Sequence, residues 1–356
     1  MQVLALNSSP RTGNNSKTEL MLDHLVRGMR EAGATVGVVN LREKTIHHCA
    51  GCFTCWTRTP GMCIHKDDMT RELLPKLRVA DVVVYASPLY FHTINALMAR
   101  FMERTLPMVE PFFIQNESGI TYHPMRDPVP ARVVLSVCGF PDYKEFDALA
   151  AFMESTRHPD TVHVANIFRP AAEMLSQSPF SKKSADILDA TIQAGREIVS
   201  SMQVSDETMA RVTQPLVDTH TFTTMGNLFW KSCIDLGVTP RSFREQKCVP
   251  RPDSLETFMV IMPHGINADA FPDRSVALQF RFSGDVRGDC HFLVENGAVE
   301  AREGMHPNPD VTIDTPFDTW MDILCGKADG TQLFMEQKYG VTGDIDAMIK
   351  LFEKER

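Results

Sequence analysis

The sequence predicts an α/β protein in which a doubly wound parallel sheet of five strands precedes a smaller α+β region. Two observations support this fold class. Short apolar runs alternate with amphipathic helical segments from the N-terminus to about residue 205. From about residue 252 the apolar residues instead recur at every second position, which is typical of strands with one buried face.

The five strands predicted in the first region are rich in apolar residues, as in a parallel sheet with helices on both faces. They are residues 2–7, 35–41, 81–90, 131–139 and 161–168. One helical pattern follows the loop after residue 7, and the others lie near residues 67–78, 92–104, 143–157 and 184–203. This alternation fits a flavodoxin-like sheet, which binds ligands at the carboxyl ends of its strands.

The changes of pattern predict three segments. Residues 1–205 form the flavodoxin-like domain, residues 206–251 a helical linker and packing segment, and residues 252–356 the α+β domain. In the last segment, "ENGA" at 295–298 predicts a hairpin turn of the Asn-Gly type.

Charge and hydropathy exclude some classes of function. The formal net charge of −9 weighs against binding of nucleic acid. No apolar run approaches the roughly 20 residues of a membrane-spanning helix. The N-terminal "MQVLALNSSPRTG" has no recognisable export signal, so we expect a cytoplasmic protein.

The loop "NSSPRTGNNSKTE" at 7–19 joins the first predicted strand to the first helix. Small residues, free backbone N–H groups and a helix N-terminus favour a phosphate at such a place. Ser9, Asn15 and Ser16 have hydrogens to donate, and Arg11 adds a charge-assisted contact. The loop fits neither the G-x-G-x-x-G nor the Walker A pattern. A simple helix-capping loop is the alternative.

Four of the nine cysteines stand in "CAGCFTCWTRTPGMC". They are Cys49, Cys52, Cys55 and Cys63, and in a reducing compartment such a cluster suggests metal or redox chemistry. The C-x2-C-x2-C spacing is found in ferredoxin-type sites, with Cys63 available as a fourth ligand to a 4Fe–4S cluster. Unliganded thiols or a redox disulfide, and zinc, are the alternatives.

Three blocks of the sequence together resemble one family. "SSPRTGNNSKTELM" is similar to the phosphate loop of the NAD(P)H-dependent flavin mononucleotide (FMN) reductase and iron–sulfur flavoprotein superfamily. "ADVVVYASPLYFHTINALMARFMERT" resembles its second signature, and "CAGCFTCWTRTPGMCIHKDDM" resembles its cysteine loop. The blocks occur in the family's order, and the resemblance covers about residues 1–205.

This resemblance implies an FMN site. The residues that would hold the phosphate are Ser9, Arg11, Asn15 and Ser16. Those that would line the flavin ring are Pro88, Leu89, Tyr90 and Phe91, with Ser136, Cys138 and Gly139 near the ring edge. The sequence departs from the family pattern at Ser8 and Asn14, where glycine is usual, so the geometry of the loop is expected to differ.

The C-terminal segment resembles the sterol-carrier-protein-like lipid-binding fold, on "PDVTIDTPFDTWMDILCGK" and the later "GVTGD". The resemblance implies antiparallel strands and helices around an apolar tunnel for a hydrophobic ligand. Candidate lining residues are Phe280, Phe282, Phe292, Trp320, Ile323, Leu324, Phe334 and Met335. The alternative is that these side chains form the core.

Together these features predict an FMN-dependent oxidoreductase with NAD(P)H as co-substrate and a small-molecule or quinone-like acceptor. One alternative is an iron–sulfur flavoprotein that shuttles electrons between protein partners. Another is a lipid or sterol carrier with a vestigial flavodoxin-like domain. The resemblance and the apolar stretch at 221–237 favour a homo-oligomer.

Overall fold

The computed structural model describes residues 1–353, and the chain forms two compact units that divide between Leu216 and Val217. The last three residues of the predicted 252–356 segment therefore lie outside the described part. The predicted linker, residues 206–251, is shared between the units: its first helix belongs to the first unit, and the remainder belongs to the second.

The first unit contains the parallel sheet. Its strands are β1 (Gln2–Asn7), β2 (Thr35–Asn40), β3 (Val82–Pro88), β4 (Ile114–Gln115), β5 (Thr121–Tyr122), β6 (Ala131–Val137) and β7 (His163–Arg169). The sheet order is β2-β1-β3-β6-β7 with every pair parallel, while β4 and β5 form a separate hairpin. This is the flavodoxin-like order, so the predicted fold class is confirmed.

Helices surround this sheet. They are α1 (Lys17–Glu31), α2 (Leu74–Arg78), α3 (Ala96–Glu103), α4 (Asp147–Ser155), α5 (Ser181–Ser201) and α6 (Asp206–Thr213), and a π-helical turn, Met69–Leu73, leads into α2. The helix predicted at 92–104 begins later, at Ala96. The left-handed backbone of Phe91 and His92, with φ values of 53° and 61°, does not continue a right-handed helix.

Two glycines allow α1 and α5 to lie in direct backbone contact. A Cβ atom at Gly28 would lie 1.8 Å from the carbonyl oxygen of Ile192, and one at Gly195 would lie 2.2 Å from that of Leu25. Only glycine fits at such separations. This contact fixes α1, whose N-terminus follows the predicted phosphate loop.

The second unit contains a sheet of order β10-β9-β8-β11-β12. Its elements are α7 (Thr219–Leu236), α8 (Pro240–Glu245), α9 (Leu255–Ile261), β8 (Val276–Ser283), β9 (Gly288–Glu295), β10 (Ala298–Glu303), β11 (Val311–Pro316), α10 (Phe317–Leu324), α11 (Gly330–Met335), β12 (Gly340–Gly343) and α12 (Ile345–Phe352). The predicted hairpin turn is present, with positive φ at Asn296 and Gly297. The expectation of antiparallel strands is wrong for one pair, because β11 crosses to the far side of β8 and lies parallel to it.

Candidate functional site

The carboxyl ends of the central strands bring the predicted cofactor segments of the first unit together. Asn7 at the end of β1 is the register partner of Ala86 in β3, and Pro88 is the partner of Val137 in β6. The loops that follow β1, β3 and β6 therefore leave the sheet side by side. The order of strands reverses between β1 and β3, and this is where flavodoxin-like sheets bind ligands.

Serine hydroxyls order the loop after β1. Ser16 is the N-cap of α1, and its Oγ accepts a hydrogen bond from the backbone N–H of Glu19. The same Oγ donates to Ser9 Oγ at 2.8 Å, and Ser9 Oγ also accepts from the backbone N–H of Arg11. Ser9 is buried and already accepts two bonds, so its own hydroxyl hydrogen is available to a ligand oxygen.

The exposed tip of the same loop has free donors. Among residues 1–353, the backbone N–H groups of Thr12, Gly13 and Asn14 have no acceptor. They lie just before the N-terminus of a 15-residue helix, where the partial positive charge of the helix favours an anion. This donor set fits a phosphate group.

The cationic side chains of the loop have other partners. Arg11, predicted to contact phosphate, forms an exposed ion pair with Glu173 at 2.6 Å. Lys17, which is not among the predicted site residues, is buried and donates to the carbonyl of Asn14 and to Ser176 Oγ. Asn15 is half-buried in the short 3-10 turn Gly13–Asn15.

The segment after β3 is a strained turn. Pro88 is buried, Leu89 is half-buried, and Tyr90 and Phe91 are exposed, with Phe91 entirely so. Tyr90 and Thr93 exchange two backbone hydrogen bonds of 3.0 Å across the two left-handed residues. Such strain in non-glycine residues is concentrated at ligand sites. The structure thus presents an aromatic, solvent-facing edge beside the phosphate loop.

Asn95, which no predicted motif of the sequence includes as a site residue, connects the two loops. Its amide Nδ2 donates to the carbonyl of Ser8 at 2.6 Å, and its Oδ1 accepts from the backbone N–H of Met98 as the N-cap of α3. Its backbone N–H donates to Ser87 Oγ. The Asn residue at the start of a helical pattern was the available signal, since Asn is a favoured N-cap.

The segment after β6 supplies a buried polar atom. Ser136 is fully buried, and its Oγ has no hydrogen-bond partner among the described residues. Burial raises the pKa of the Cys138 thiol to about 11, so this thiol remains protonated at neutral pH. Gly139 is exposed, and no atom lies within 4 Å of the place where its Cβ would be. This segment is open to a neighbouring ligand.

The four predicted metal cysteines line one small cavity. The side chains around it include Cys49, Cys52, Cys55 and Cys63, together with His65 and Arg104. Cys55 is buried, Cys52 is exposed, and all four thiols are free. Burial raises the pKa of the Cys55 thiol, and the neighbouring Cys63 sulfur adds to this effect.

The chemistry of this donor set suits a soft metal or an iron–sulfur cluster. The positions of these side chains fit a metal site less well. Within residues 1–353, no group of three or more His, Cys, Asp or Glu side chains has an arrangement that would hold a metal ion. The cavity thus has the ligand types of a metal site without the closed ligand geometry.

Two known protein families match separate parts of the chain. Residues 1–118 match the NADPH-dependent FMN reductase family. Residues 273–353 match the SCP-2 sterol transfer family. The two resemblances seen in the sequence are therefore confirmed.

Curated relatives of the chain are named iron–sulfur flavoproteins. One, from Archaeoglobus fulgidus, is 37% identical over 108 residues, which are 30% of this chain and 46% of the relative. Another, from Methanocaldococcus jannaschii, is 30% identical over 119 residues, which are 33% of this chain and 59% of the relative. The chain thus spans about half the length of these relatives.

Solved structures similar to the chain include an NAD(P)H:quinone oxidoreductase from Methanothermobacter marburgensis. It has 18% identity and a TM-score of 0.43, and the match covers 56% of this chain and 96% of that one. An azoreductase from Bacillus anthracis has 13% identity and a TM-score of 0.42, covering 56% of this chain and 98% of that one.

The part of the second unit that matches the SCP-2 family has an aromatic core. Phe280, Phe282, Phe292 and Trp320, four of the residues proposed to line a tunnel, are buried in it. Phe258, on α9 and before the matched residues, packs among the first three, with ring centroids 4.9 to 5.7 Å apart. Ile323 and Leu324 pack against this core, whereas Phe334 and Met335 are exposed. In residues 1–353 no helix is both long and apolar enough to cross a bilayer.

Proposed function

We propose that the first unit binds FMN and works as a flavin-dependent oxidoreductase, with NAD(P)H as the hydride donor and a quinone-like or other small molecule as acceptor. The observation that carries this proposal is the set of unpaired N–H donors at Thr12, Gly13 and Asn14, placed before α1 at the switch point of the sheet. The match of residues 1–118 to the FMN reductase family supports it.

In this proposal each loop has its own role. The loop after β1 binds the phosphate through backbone N–H groups and the Ser9 hydroxyl. Tyr90 and Phe91 orient the ring and cover part of it, and Ser136 Oγ gains a polar partner. When bound, FMN supplies hydride acceptance from reduced nicotinamide and release of electrons singly or in pairs.

Two adjacent buried serines provide a matched test of the phosphate site. Ser8 Oγ donates to the carbonyl of Ala86, whereas the hydroxyl hydrogen of Ser9 is free for a ligand. In a titration followed by quenching of flavin fluorescence, we expect Ser9→Ala to weaken FMN binding by about 10-fold or more, because a hydrogen bond to a charged group is lost. Ser8→Ala should bind close to wild type.

Equal weakening in both variants would indicate a general loss of loop structure. Failure of the wild-type chain to bind FMN would refute the proposal. For a chain that binds FMN, oxidation of NADH and NADPH, each with and without a soluble quinone, tests the activity and identifies the preferred donor.

A second candidate function is electron transfer through an iron–sulfur cluster close to the flavin. The observation that favours it is the convergence of four thiols on one cavity, and the relatives named iron–sulfur flavoproteins support it. Anaerobic reconstitution with iron and sulfide should load about four iron atoms per chain, the content of a cubane. Cys52→Ser should lose iron and keep FMN. Cys248→Ser, in the second unit, is the control.

For the second unit we propose an apolar ligand, on the strength of its match to the SCP-2 sterol transfer family. A fluorescent fatty acid whose emission rises in apolar surroundings tests this in the full chain. Binding by wild type would support it. Binding only by Phe258→Ala, in which a buried ring is removed, would mean that the native core excludes such ligands.

A further inference from the structure

A fully buried ion pair lies against the four-cysteine cavity. The guanidinium of Arg104 donates to both carboxylate oxygens of Asp67, with Nη1 to Oδ2 at 2.7 Å and Nη2 to Oδ1 at 3.2 Å. Both side chains are only 1% exposed. Two charges removed from water in this way carry a large desolvation cost, so the pair needs its other hydrogen bonds.

Those other bonds reach both ends of the cysteine loop. Arg104 Nη1 donates to the carbonyl of His47, before the loop, and Nη2 lies 3.4 Å from the sulfur of Cys63, its last cysteine. Asp67 accepts from the backbone N–H groups of His47 and Thr70. One ion pair therefore fixes where the loop begins and where it returns.

The pair has a defined polarity with respect to the cavity. Arg104 lines the cavity, as does its neighbour Glu103, whereas Asp67 does not. The positive end of the pair therefore faces the sulfur atoms, and the carboxylate lies behind it. The Arg104 Nε has no partner among the described residues. The cation is thus placed to stabilise negative charge in the cavity.

We propose that Arg104 is the positioning residue of an anionic sulfur site: it holds Cys63 in place and offsets the negative charge of a thiolate-bound soft metal or cluster. Four thiolates around one divalent cation carry a net charge of −2, so a buried cation beside them stabilises the assembly. This inference rests on the second candidate function, the metal-binding role of the four cysteines.

Cadmium ion alone is a suitable probe, since its thiolate complexes absorb in the ultraviolet and need neither iron nor sulfide. The full chain is titrated with Cd²⁺ after reduction. We expect Arg104→Gln to lower the affinity by about 10- to 100-fold, the usual cost of removing a partner of a metal ligand. Arg100→Gln is the control: Arg100 lies one turn earlier on α3 and donates to the carbonyl of Ile46.

Arg104→Gln leaves Asp67 buried without its cation, and this strongly destabilises the fold. A double variant, Arg104→Gln with Asp67→Asn, replaces both charges with amides that can still hydrogen-bond. Arg104→Lys keeps the positive charge but loses the bidentate hydrogen bonding to the Asp67 carboxylate. If Arg104 acts through both charge and geometry, affinity falls in the order wild type, Lys variant, double variant.

The outcomes separate this inference from the cluster proposal. Equal Cd²⁺ affinity in wild type, the double variant and the Arg100 control would overturn the role of Arg104, whatever the iron content. Arg104-dependent Cd²⁺ binding in a chain that never loads iron would support Arg104 and refute the cluster. Where iron is loaded, loss of the Arg104 cation should also shift the reduction potential of the cluster to a more negative value.

Discussion

The phosphate loop, residues 7–19, and the cysteine loop, residues 49–63, are the two candidate cofactor segments of the first unit, and they are ordered by different means. The phosphate loop is ordered chiefly by neutral hydrogen bonds: Ser16 caps α1, Ser9 bonds to Ser16 and to Arg11, and Asn95 donates to the carbonyl of Ser8. The cysteine loop depends on Arg104 and Asp67, which lie outside it.

This difference sets how much a single substitution can cost each loop. Removal of a helix cap or of one neutral hydrogen bond costs about 1 kcal/mol. Removal of one partner of a buried ion pair costs about 3–5 kcal/mol, because the other charge is left unpaired. We therefore expect the cysteine loop to be the more easily disrupted of the two.

The largest effect is expected for Asp67→Ala. It leaves the buried Arg104 cation unpaired and should lower the free energy of unfolding by about 3–5 kcal/mol. The neighbouring Asp68 is a control, because its carboxylate is only partly buried and accepts from the backbone N–H of Thr45. Urea unfolding of Asp67→Ala and Asp68→Ala measures the difference. Equal losses would contradict the dependence on the ion pair.

Acid should weaken the same contact. Burial alone would raise the pKa of the Asp67 carboxyl, but hydrogen bonds from Arg104 and from the backbone of His47 and Thr70 outweigh burial and hold the pKa well below 3.8. The unfolded chain therefore takes up this proton first as the pH falls below about 4, and stability is lost. The stability advantage of wild type over Asp67→Asn should shrink as the pH falls from about 5 towards 2 in urea unfolding.

An intermediate effect is expected at the phosphate loop for Ser16→Ala. Loss of a helix N-cap costs about 1 kcal/mol of stability, and loss of the bond to Ser9 should weaken FMN binding as well. Ser205→Ala removes the N-cap of α6 and is the control. Thermal unfolding should show similar losses in the two variants, while only Ser16→Ala reduces FMN affinity. Unchanged FMN affinity in Ser16→Ala would count against the role of this loop.

The smallest effect is expected for Gly13→Ala. Gly13 has φ of +53°, and its added Cβ would meet no atom within 4 Å, so the cost is backbone strain of about 1 kcal/mol. Because the N–H donors of the loop remain, FMN affinity should stay near the wild-type value in the same fluorescence titration. A large loss of affinity would mean that the loop must change conformation to bind.

Much of the fold could be predicted because its signals are local. The apolar runs of β1, β3 and β6 and the amphipathic pattern of α1 appear directly in the sequence. Predictions were wrong where the structure depends on residues that are distant in the sequence and close in space. Helix α3 begins at Ala96 and not at the predicted residue 92, because the turn at Phe91 and His92 adopts left-handed backbone angles. The parallel pairing of β11 with β8 depends on a chain crossing that no local pattern encodes.

The candidate sites divide in the same way. Ser9, Ser16 and the four cysteines were predicted as site residues because their types and spacing are typical of phosphate and metal sites. Asn95, Lys17 and Asp67 were missed because no sequence motif marks them as site residues. Only the folded chain brings these polar residues to the loops they contact. The flavin-lining role of Tyr90 and Phe91 and a homo-oligomeric state remain predictions.

The sequence by itself determined the alternation of strands and helices, the phosphate-type loop before α1 and the grouping of four thiols, since hydrophobic period and residue spacing are properties of neighbouring positions. Only the tertiary structure decided that Arg104 faces these thiols with Asp67 behind it. Residues 37 positions apart form that ion pair, and the energy of a buried charge depends on what surrounds it in space.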